Sequence, residues 1–558
     1  MRKSNLKQIF FFLLTFTASF LLSLALISCQ EETNDSKSKA PVLSILPGHQ
    51  SLICIWTDSD PVTENFILFY LEGVTDDAER IKIAGKVVSG AVSPFTITGL
   101  DRTKTYSVVV TAETDDFIDI DSAVKHGQPF SASSKRGVSY TFTTDNGASQ
   151  PDDYTPTTYT ERDMLLLKHG ITWFYTWGPD LARIVDNSAK THDLTFYPMA
   201  WTSGWNDQKI SAYFQANPEC EYILSYNEPN LEDQANMTPT EAAEDWPNIL
   251  NIAKSFNPAK KIVAPAMNYG TLANYFDPIK WLNEFYALPG VSWNDVEALS
   301  VHCYMAYPSA VKSYIGRYRT ELKNQAGQTV IKPIWMTEFC AWDDYPNRDS
   351  NPAPDHQMYY LSQIVTYMEL EPAVEKYAWF IPKAGNWDWN DFPYHSFIKK
   401  TNPPELTPLG QIYVYMSTCD KSVWMPAGAV IPAKDFNDCN ISDDIGKWET
   451  WNDTVTYRPT TDPAASALLD VLNFASSKWV EYQVDAPETK EYTLTLRFQT
   501  TGNSGLYIKV DNTAEKTKAI NSAAWNTTTV DLGTISAGKH TIRLRSTGNL
   551  ALNWLKID

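Results

Sequence analysis

From about residue 134 to residue 422 the sequence alternates short apolar runs with amphipathic stretches, and this alternation restricts the fold more than any other feature of the chain. The runs begin near Gly137 (GVSYTF), Ile171 (ITWFY), Leu194 (LTFYPM), Tyr222 (YILSYN), Ile262 (IVAPA), Glu297 (EALSVHCY), Pro333 (PIWMTEF) and Lys376 (KYAWFI). Helix signals fall between them. Thr238-Pro-Thr-Glu241 is a capping box with proline at the first helical position. Asp277-Pro278 opens a helix through Trp281, Leu282 and Phe285, and Asp355 opens another through Met358 and Leu361. Eight strands separated by helices over this length predict a (β/α)8 barrel, a TIM barrel, spanning 134–422.

The flanks have a different period. Between 41 and 133, strands such as Ser51–Trp56, Asn65–Tyr70 and Tyr106–Val110 alternate apolar and polar residues and are divided by turns, the pattern of a β-sandwich. The pattern returns to strands over 423–558, where Glu481–Val484, Tyr492–Phe498 and His540–Leu544 alternate cleanly, so a second sandwich is expected there. The chain therefore reads as multidomain, a barrel flanked by two β-sandwiches, as 558 residues require.

The first 28 residues read as a targeting segment, with basic Arg2, Lys3 and Lys7 before a mostly apolar run from Ile9 to Ile27. Leu26-Ile-Ser-Cys29 has the form of a bacterial lipobox, which makes Cys29 the lipidated mature N-terminus and 29–40 a polar tether. The acidic start Gln30-Glu-Glu32 resembles the export signal of lipoproteins shown on the outer face of some Gram-negative bacteria. The expected location is thus the outer membrane or cell surface. The rest of the chain has no apolar run long enough to span a bilayer. Net charge is 46 − 66 = −20, which disfavours nucleic acid, anionic membrane surfaces and polyanionic glycans and leaves a neutral polymer open. The six cysteines other than Cys29 form no C-x-x-C pair, so no zinc or redox motif is expected; they read as buried thiols, with room for one disulfide in an exported protein.

In a barrel, function collects at the C-terminal ends of the strands. Glu228 ends the fourth run in Ser225-Tyr-Asn-Glu-Pro-Asn230, and Glu338 ends the seventh in Trp335-Met-Thr-Glu-Phe339. Strands four and seven face each other across a barrel mouth. A carboxyl buried at the end of an apolar strand costs several kcal/mol unless used or compensated. Two such carboxyls are the equipment for cutting a glycosidic bond with retention, one as acid then base and the other as nucleophile. Asn227 precedes the first and could hold the sugar 2-hydroxyl. His302 and Tyr304 are two apart on the sixth strand and share a face, from which Tyr304 could hydrogen-bond Glu338. Trp379 ends the eighth strand as a candidate subsite floor, and Trp177, Trp201 and Trp205 are candidate stacking platforms in the top loops.

Asn227-Glu-Pro229 and Glu338 match the acid/base and nucleophile of the retaining glycosidases built on (β/α)8 barrels. Together with Lys135-Arg-Gly-Val-Ser-Tyr140, Trp173-Phe-Tyr-Thr-Trp177 and Phe196-Tyr-Pro-Met-Ala-Trp201, in that family's order, they make the barrel resemble glycoside hydrolase family 128. The resemblance implies an endo-β-1,3-glucanase acting on extracellular β-1,3-glucan, with no cofactor. Tyr226-Asn227, where Phe-Asn is expected, and an insertion around Asp388 to Thr401 are departures that bear on subsites. Residues 41–133 resemble a fibronectin type III domain, Leu100 preceding Tyr106 at the spacing of its tyrosine corner. Residues 423–558 resemble a family 6 carbohydrate-binding module through Ala433-Lys-Asp-Phe436, Tyr457-Arg-Pro459, Trp479-Val-Glu-Tyr482 and Leu552-Asn-Trp-Leu555. That resemblance implies a sugar cleft lined by Tyr457, Trp525 and Asn549. Lys434, where that family often has a calcium-binding Glu, argues against a metal there. Hydrolysis of another neutral β-glycan such as mannan or xylan, or a glycan-capturing surface protein with an inactive barrel, are the rival readings.

Overall fold

The computed structural model describes residues 40–57, 63–114, 119–139, 161–180, 194–343, 354–383, 395–399, 401 and 404–558. The lipobox with Cys29, most of the tether and most of the 388–401 insertion lie outside the described residues. The chain divides into two compact units, one of them comprising Pro47–Leu52, Ile97–Lys104 and Gln128–Asp558. The barrel and the C-terminal domain thus belong to one unit.

The eight runs form one parallel sheet. We label its strands β1 (Arg136–Ser139), β2 (Trp173–Tyr175), β3 (Thr195–Phe196), β4 (Tyr222–Leu224), β5 (Lys261–Met267), β6 (Ala298–Met305), β7 (Ile334–Asp343) and β8 (Val374–Trp379). Their order in the sheet is β3-β2-β1-β8-β7-β6-β5-β4. The edges meet at a parallel bridge between Met199 and Leu224, with the Ala200 N–H donating to the Leu224 carbonyl at 2.9 Å, and the sheet curls into a barrel. The described helices that follow its strands are α1 (Glu161–Leu167), α2 (Asp207–Ala216), α3 (Pro239–Lys254), α4 (Pro278–Phe285), α5 (Pro308–Thr320), α6 (Pro354–Leu370) and α7 (Pro408–Tyr415). Local chemistry sets their starts: Thr238 caps α3 in a complete capping box, and Asp277 caps α4.

The lower barrel interior is an aromatic layer. Trp335 packs against Trp173, Tyr197 and Tyr222 with ring centroids 5.7, 5.3 and 4.7 Å away. The Lys376 ammonium sits 5.4 Å from the Trp335 ring. Gly137 is required where Trp173 enters, since a Cβ there would lie 2.4 Å from the indole. At the N-terminal end of β1, fully buried Arg136 pairs with Glu369 at 2.7 Å and donates to the Tyr413 and Ser417 carbonyls. Lys135 Nζ donates to the carbonyls of Met368, Glu369 and Glu371 at the C-terminal end of α6, where a cation meets the negative end of the helix dipole.

The C-terminal domain has two sheets. One runs Met425–Pro426, Trp479–Ala486, Gly538–Ser546, Ser504–Val510 and Lys516–Ile520; the other runs Thr456–Pro459, Leu469–Leu472, Leu550–Ile557, Lys490–Thr500 and Asn526–Ile535. Along Lys490–Thr500 every second residue from Tyr492 is buried, the period of a strand with one face in a core. The domain is fastened to α5 and α6. The Lys312 side chain, fully buried, donates to the Thr450 carbonyl at 2.7 Å. Gln363 accepts from the Thr454 N–H at 2.8 Å and donates to the carbonyls of Thr454 and Val455. Trp448 lies so close to α5 that a Cβ on Gly316 would sit 2.5 Å from its own Cβ.

The N-terminal domain has a three-stranded sheet (Val42–Gly48, Ser51–Thr57, Phe95–Ile97) and an antiparallel sheet around Thr63–Glu72 and Tyr106–Thr114. Leu52, Cys54, Leu68, Val108 and Val110 are buried in it, as strand alternation expects. The six cysteines are all buried, and burial pushes the Cys54, Cys220 and Cys439 thiols up to about 12.

Candidate active site

Glu228 follows β4 at the C-terminal end of the barrel with φ +46°, a strained conformation for a residue with a side chain. Its N–H donates to the Ala266 carbonyl at 2.9 Å, and the Asn227 N–H donates to the Trp201 carbonyl at 2.9 Å. These backbone bonds, to β5 and to the loop after β3, hold the turn. Glu338 sits on β7 directly beside His302 of β6 in register. Both glutamates are buried, at 6% and 4% exposure, so neither is an ordinary surface carboxylate.

One donor atom each of Glu228, His302 and Glu338 lie within 4.8 Å of one another. His302 Nδ1 is 2.9 Å from Glu228 Oε1 and 3.3 Å from Glu338 Oε2. Glu338 is surrounded by donors. The Trp177 indole N–H donates to Oε1 at 2.7 Å, the Tyr175 hydroxyl donates to the same oxygen at 3.0 Å, and the Tyr304 hydroxyl donates to Oε2. Burial raises the Glu338 carboxyl above the usual carboxylate range; His302 pulls it back, Glu228 raises it again, and the Tyr304 and Trp177 donors lower it. Since three neutral donors and an imidazole already meet its oxygens, this carboxylate can be held ionised without a metal ion. The three-residue set is nonetheless the grouping among the described residues with the spacing to hold one.

An aromatic wall surrounds the Glu338 side. Trp177, itself at φ +54°, meets Phe380 edge-on at 5.9 Å, and Tyr304 meets Phe380 at 5.4 Å and Trp342 at 5.2 Å. Asn227 is 3% exposed; its amide donates to Gln234 at 3.1 Å, and its Oδ1 is buried with no partner. Trp201 and Trp205 are half-buried on the loop after β3, beside the Asn227 turn.

Two expected roles are corrected. Trp379 is fully buried on the outer side of β8, stacked on Phe397 at 5.1 Å and donating to the His395 carbonyl, and it forms no floor of the site. Alternation along the strand turns the next residue, Phe380, toward the glutamates instead. Tyr457 lines no cleft: it is 2% exposed, with its ring stacked on Phe436 at 6.1 Å. Trp525 is half-buried and donates to Thr461 at 3.2 Å, and Asn549 is exposed. These two flank the Lys490–Thr500 strand on opposite sides. Lys434 is buried against Asp435, with its ammonium 5.2 Å from the Phe130 ring. Tyr175, Phe380 and Trp342 were not singled out from sequence. For Tyr175 the signal was present, because it is two residues from Trp177 and shares its face.

Residues 152–413 match the family model described as the glycosyl hydrolase catalytic core. The chain belongs to the glycosyl hydrolases. This hydrolase is similar to the subgroup II endo-β-1,3-glucanase of glycoside hydrolase family 128 from Pseudomonas viridiflava, with 31% identity covering 51% of this chain and 98% of that one at a TM-score of 0.40. It is similar also to the subgroup II enzyme from Sorangium cellulosum, with 25% identity over 50% and 97% of the two chains and a TM-score of 0.40. A third similar structure is the subgroup I endo-β-1,3-glucanase from Amycolatopsis mediterranei in complex with laminaritriose, with 23% identity over 50% and 98% and a TM-score of 0.35. No curated protein matches the hydrolase.

Proposed function

We propose that this hydrolase is a retaining endo-β-1,3-glucanase of family 128, tethered to the bacterial cell surface through Cys29. The observation that carries the mechanism is the pair of buried glutamates with oxygens no more than 4.8 Å apart around His302. That separation suits direct attack, since retaining enzymes hold their carboxyls at about 5 to 5.5 Å and inverting ones leave about 6.5 to 9.5 Å for a water. Glu338, met by donors on both oxygens, is the nucleophile. Glu228 protonates the leaving oxygen, then takes a proton from the water that cleaves the glycosyl ester. The unpartnered Oδ1 of Asn227 accepts from the sugar 2-hydroxyl. The substrate assignment rests on the family 128 motifs in the sequence and agrees with the endo-β-1,3-glucanase activity of the similar Pseudomonas viridiflava protein.

The test uses two variants on linear β-1,3-glucan, with mannan and xylan as comparison substrates. Glu338→Gln is expected to abolish turnover and spare binding. Glu228→Ala is expected to lose activity on glucan, to accumulate the glycosyl-enzyme on a substrate with an activated leaving group, and to regain turnover there with azide, as a β-glycosyl azide. NMR that shows an inverted first-formed product rules out Glu338 as nucleophile. In the C-terminal domain, Trp525 and Asn549 are the candidate sugar contacts; Trp525→Ala is expected to weaken retention on insoluble glucan while turnover of soluble oligosaccharides is unchanged. Cys29→Ala is expected to release the protein from membranes.

A further inference from the structure

His302 is fully buried, and its polar surroundings are the two glutamates. Nδ1 reaches Glu228 Oε1 at 2.9 Å and Glu338 Oε2 at 3.3 Å, while Nε2 is buried without a partner. Among the described residues no lysine or arginine pairs with either glutamate, so His302 is their cationic partner. Among the described residues, the other titratable groups facing this cluster are Tyr304, on its own strand, and Tyr175 of β2, both donating to Glu338.

Two buried carboxylates this close repel each other, and the reaction assigned above needs one of them protonated while the other stays ionised. We propose, building on that assignment, that Glu228 and His302 hold one acidic proton in common along the Nδ1···Oε1 line, making His302 a positioning residue for the catalytic proton. In one arrangement Glu228 is a carboxylate beside an imidazolium. In the other the proton has moved from Nδ1 to Oε1, leaving a carboxylic acid beside a neutral imidazole. The two hold the same number of protons. The first cancels one of two buried negative charges in the resting site; the second is the acid that cleavage requires. As the anomeric carbon bonds to Glu338, the glycosidic bond breaks and the proton leaves Glu228 with the departing oxygen. Glu338 is then an uncharged ester, so the attraction that favoured the imidazolium is gone. The attacking water returns a proton to Glu228 as the ester bond breaks, and the pair is restored. Burial works against a charged His302, and the charges of Glu338 and Glu228 outweigh it, so its pKa lies above the ordinary imidazole value. Loss of the shared proton then belongs to the pair and not to either residue.

His302→Asn tests this, since the Asn amide nitrogen takes the place of Nδ1 and donates without titrating. On linear β-1,3-glucan, the alkaline limb of kcat/KM is expected to move down by about one pH unit, the coupling at which two sites titrate as a pair. On an aryl β-glycoside with an activated leaving group, whose departure needs no acid, the rate of the first bond cleavage is expected to fall less than kcat/KM on the glucan does. Equal losses on both substrates, or an unmoved alkaline limb, overturn the proposal. In full-length wild-type protein labelled with 15N-histidine, the Nδ1 resonance missing from the variant is expected between the protonated and bare limits. A value fixed at either limit across the active pH range overturns it even if the variant fails to fold. A wild-type protein that cleaves no β-glycan refutes the assigned reaction instead, while the resonance still reports where the proton resides.

Discussion

Replacing Trp177 by Phe isolates the contribution of one donor to Glu338, the proposed nucleophile. The indole N–H lies 2.7 Å from Glu338 Oε1, and the ring meets Tyr175 at 5.3 Å and Phe380 at 5.9 Å. Phenylalanine keeps most of that packing and bears the same backbone cost at φ +54°, so the N–H is the main thing lost. A hydrogen bond to a charged group contributes about 1.5 to 3 kcal/mol, and one pKa unit corresponds to about 1.4 kcal/mol. Loss of the donor therefore raises the Glu338 carboxyl by about one to two units. Tyr175 still donates to the same oxygen, which places the expectation near one unit. The sign follows from the donor's preference for the ionised form. Without it, protonation of Glu338 sets in at higher pH, the nucleophile is lost earlier on acidification, and the acid limb of kcat/KM moves up. Initial rates on soluble β-1,3-glucan across the acid side of the profile measure this directly. A uniform drop in kcat/KM with an unmoved acid limb would refute the electrostatic role and leave Trp177 as a packing residue.

Trp379→Ala is expected to cost about 3 to 5 kcal/mol in denaturant titration, because the indole is fully buried, whereas Phe380→Ala raises KM with a much smaller loss of stability. Arg136→Met leaves Glu369 buried and poorly paired, with an expected cost of about 3 to 5 kcal/mol; denaturation within about 1 kcal/mol of wild type would show that the pair adds little. Truncation after Ser422 exposes the α6 face that Gln363 anchors and strips Lys312 of its Thr450 acceptor, so insoluble protein is expected. A soluble truncated barrel with wild-type kcat/KM would show that the C-terminal domain is merely appended.

Much of this molecule is written in local periodicity. Each barrel strand announces itself by an apolar run, and the eight runs from Gly137 to Lys376 coincide with the strands of the parallel sheet. The capping box at Thr238 and the place of Glu228 just beyond β4 were legible for the same reason, since a cap or a strand end is decided by a few consecutive residues, whereas Glu338, read as a strand end, lies within β7, which runs on to Asp343. Alternation could also place Tyr304 and His302 on one face. It could not say which face of β8 turns inward, because the parity of a fully buried strand carries no polar signal, and Trp379 and Phe380 differ by that parity alone. Nor could it bring the indole of Trp177 to Glu338, 161 residues away, or set His302 between two glutamates from other strands. Those contacts depend on strand register and on the closure of the sheet. Tyr457 shows the same limit from the other side: its sequence context fits an exposed sheet face, and only the docking of the C-terminal domain on α6 buries it. Sequence determined the elements and singled out the two glutamates, because these follow from local pattern. Tertiary structure decided which donors, imidazole and aromatic rings surround them, because register and closure are set by the packing of the whole barrel.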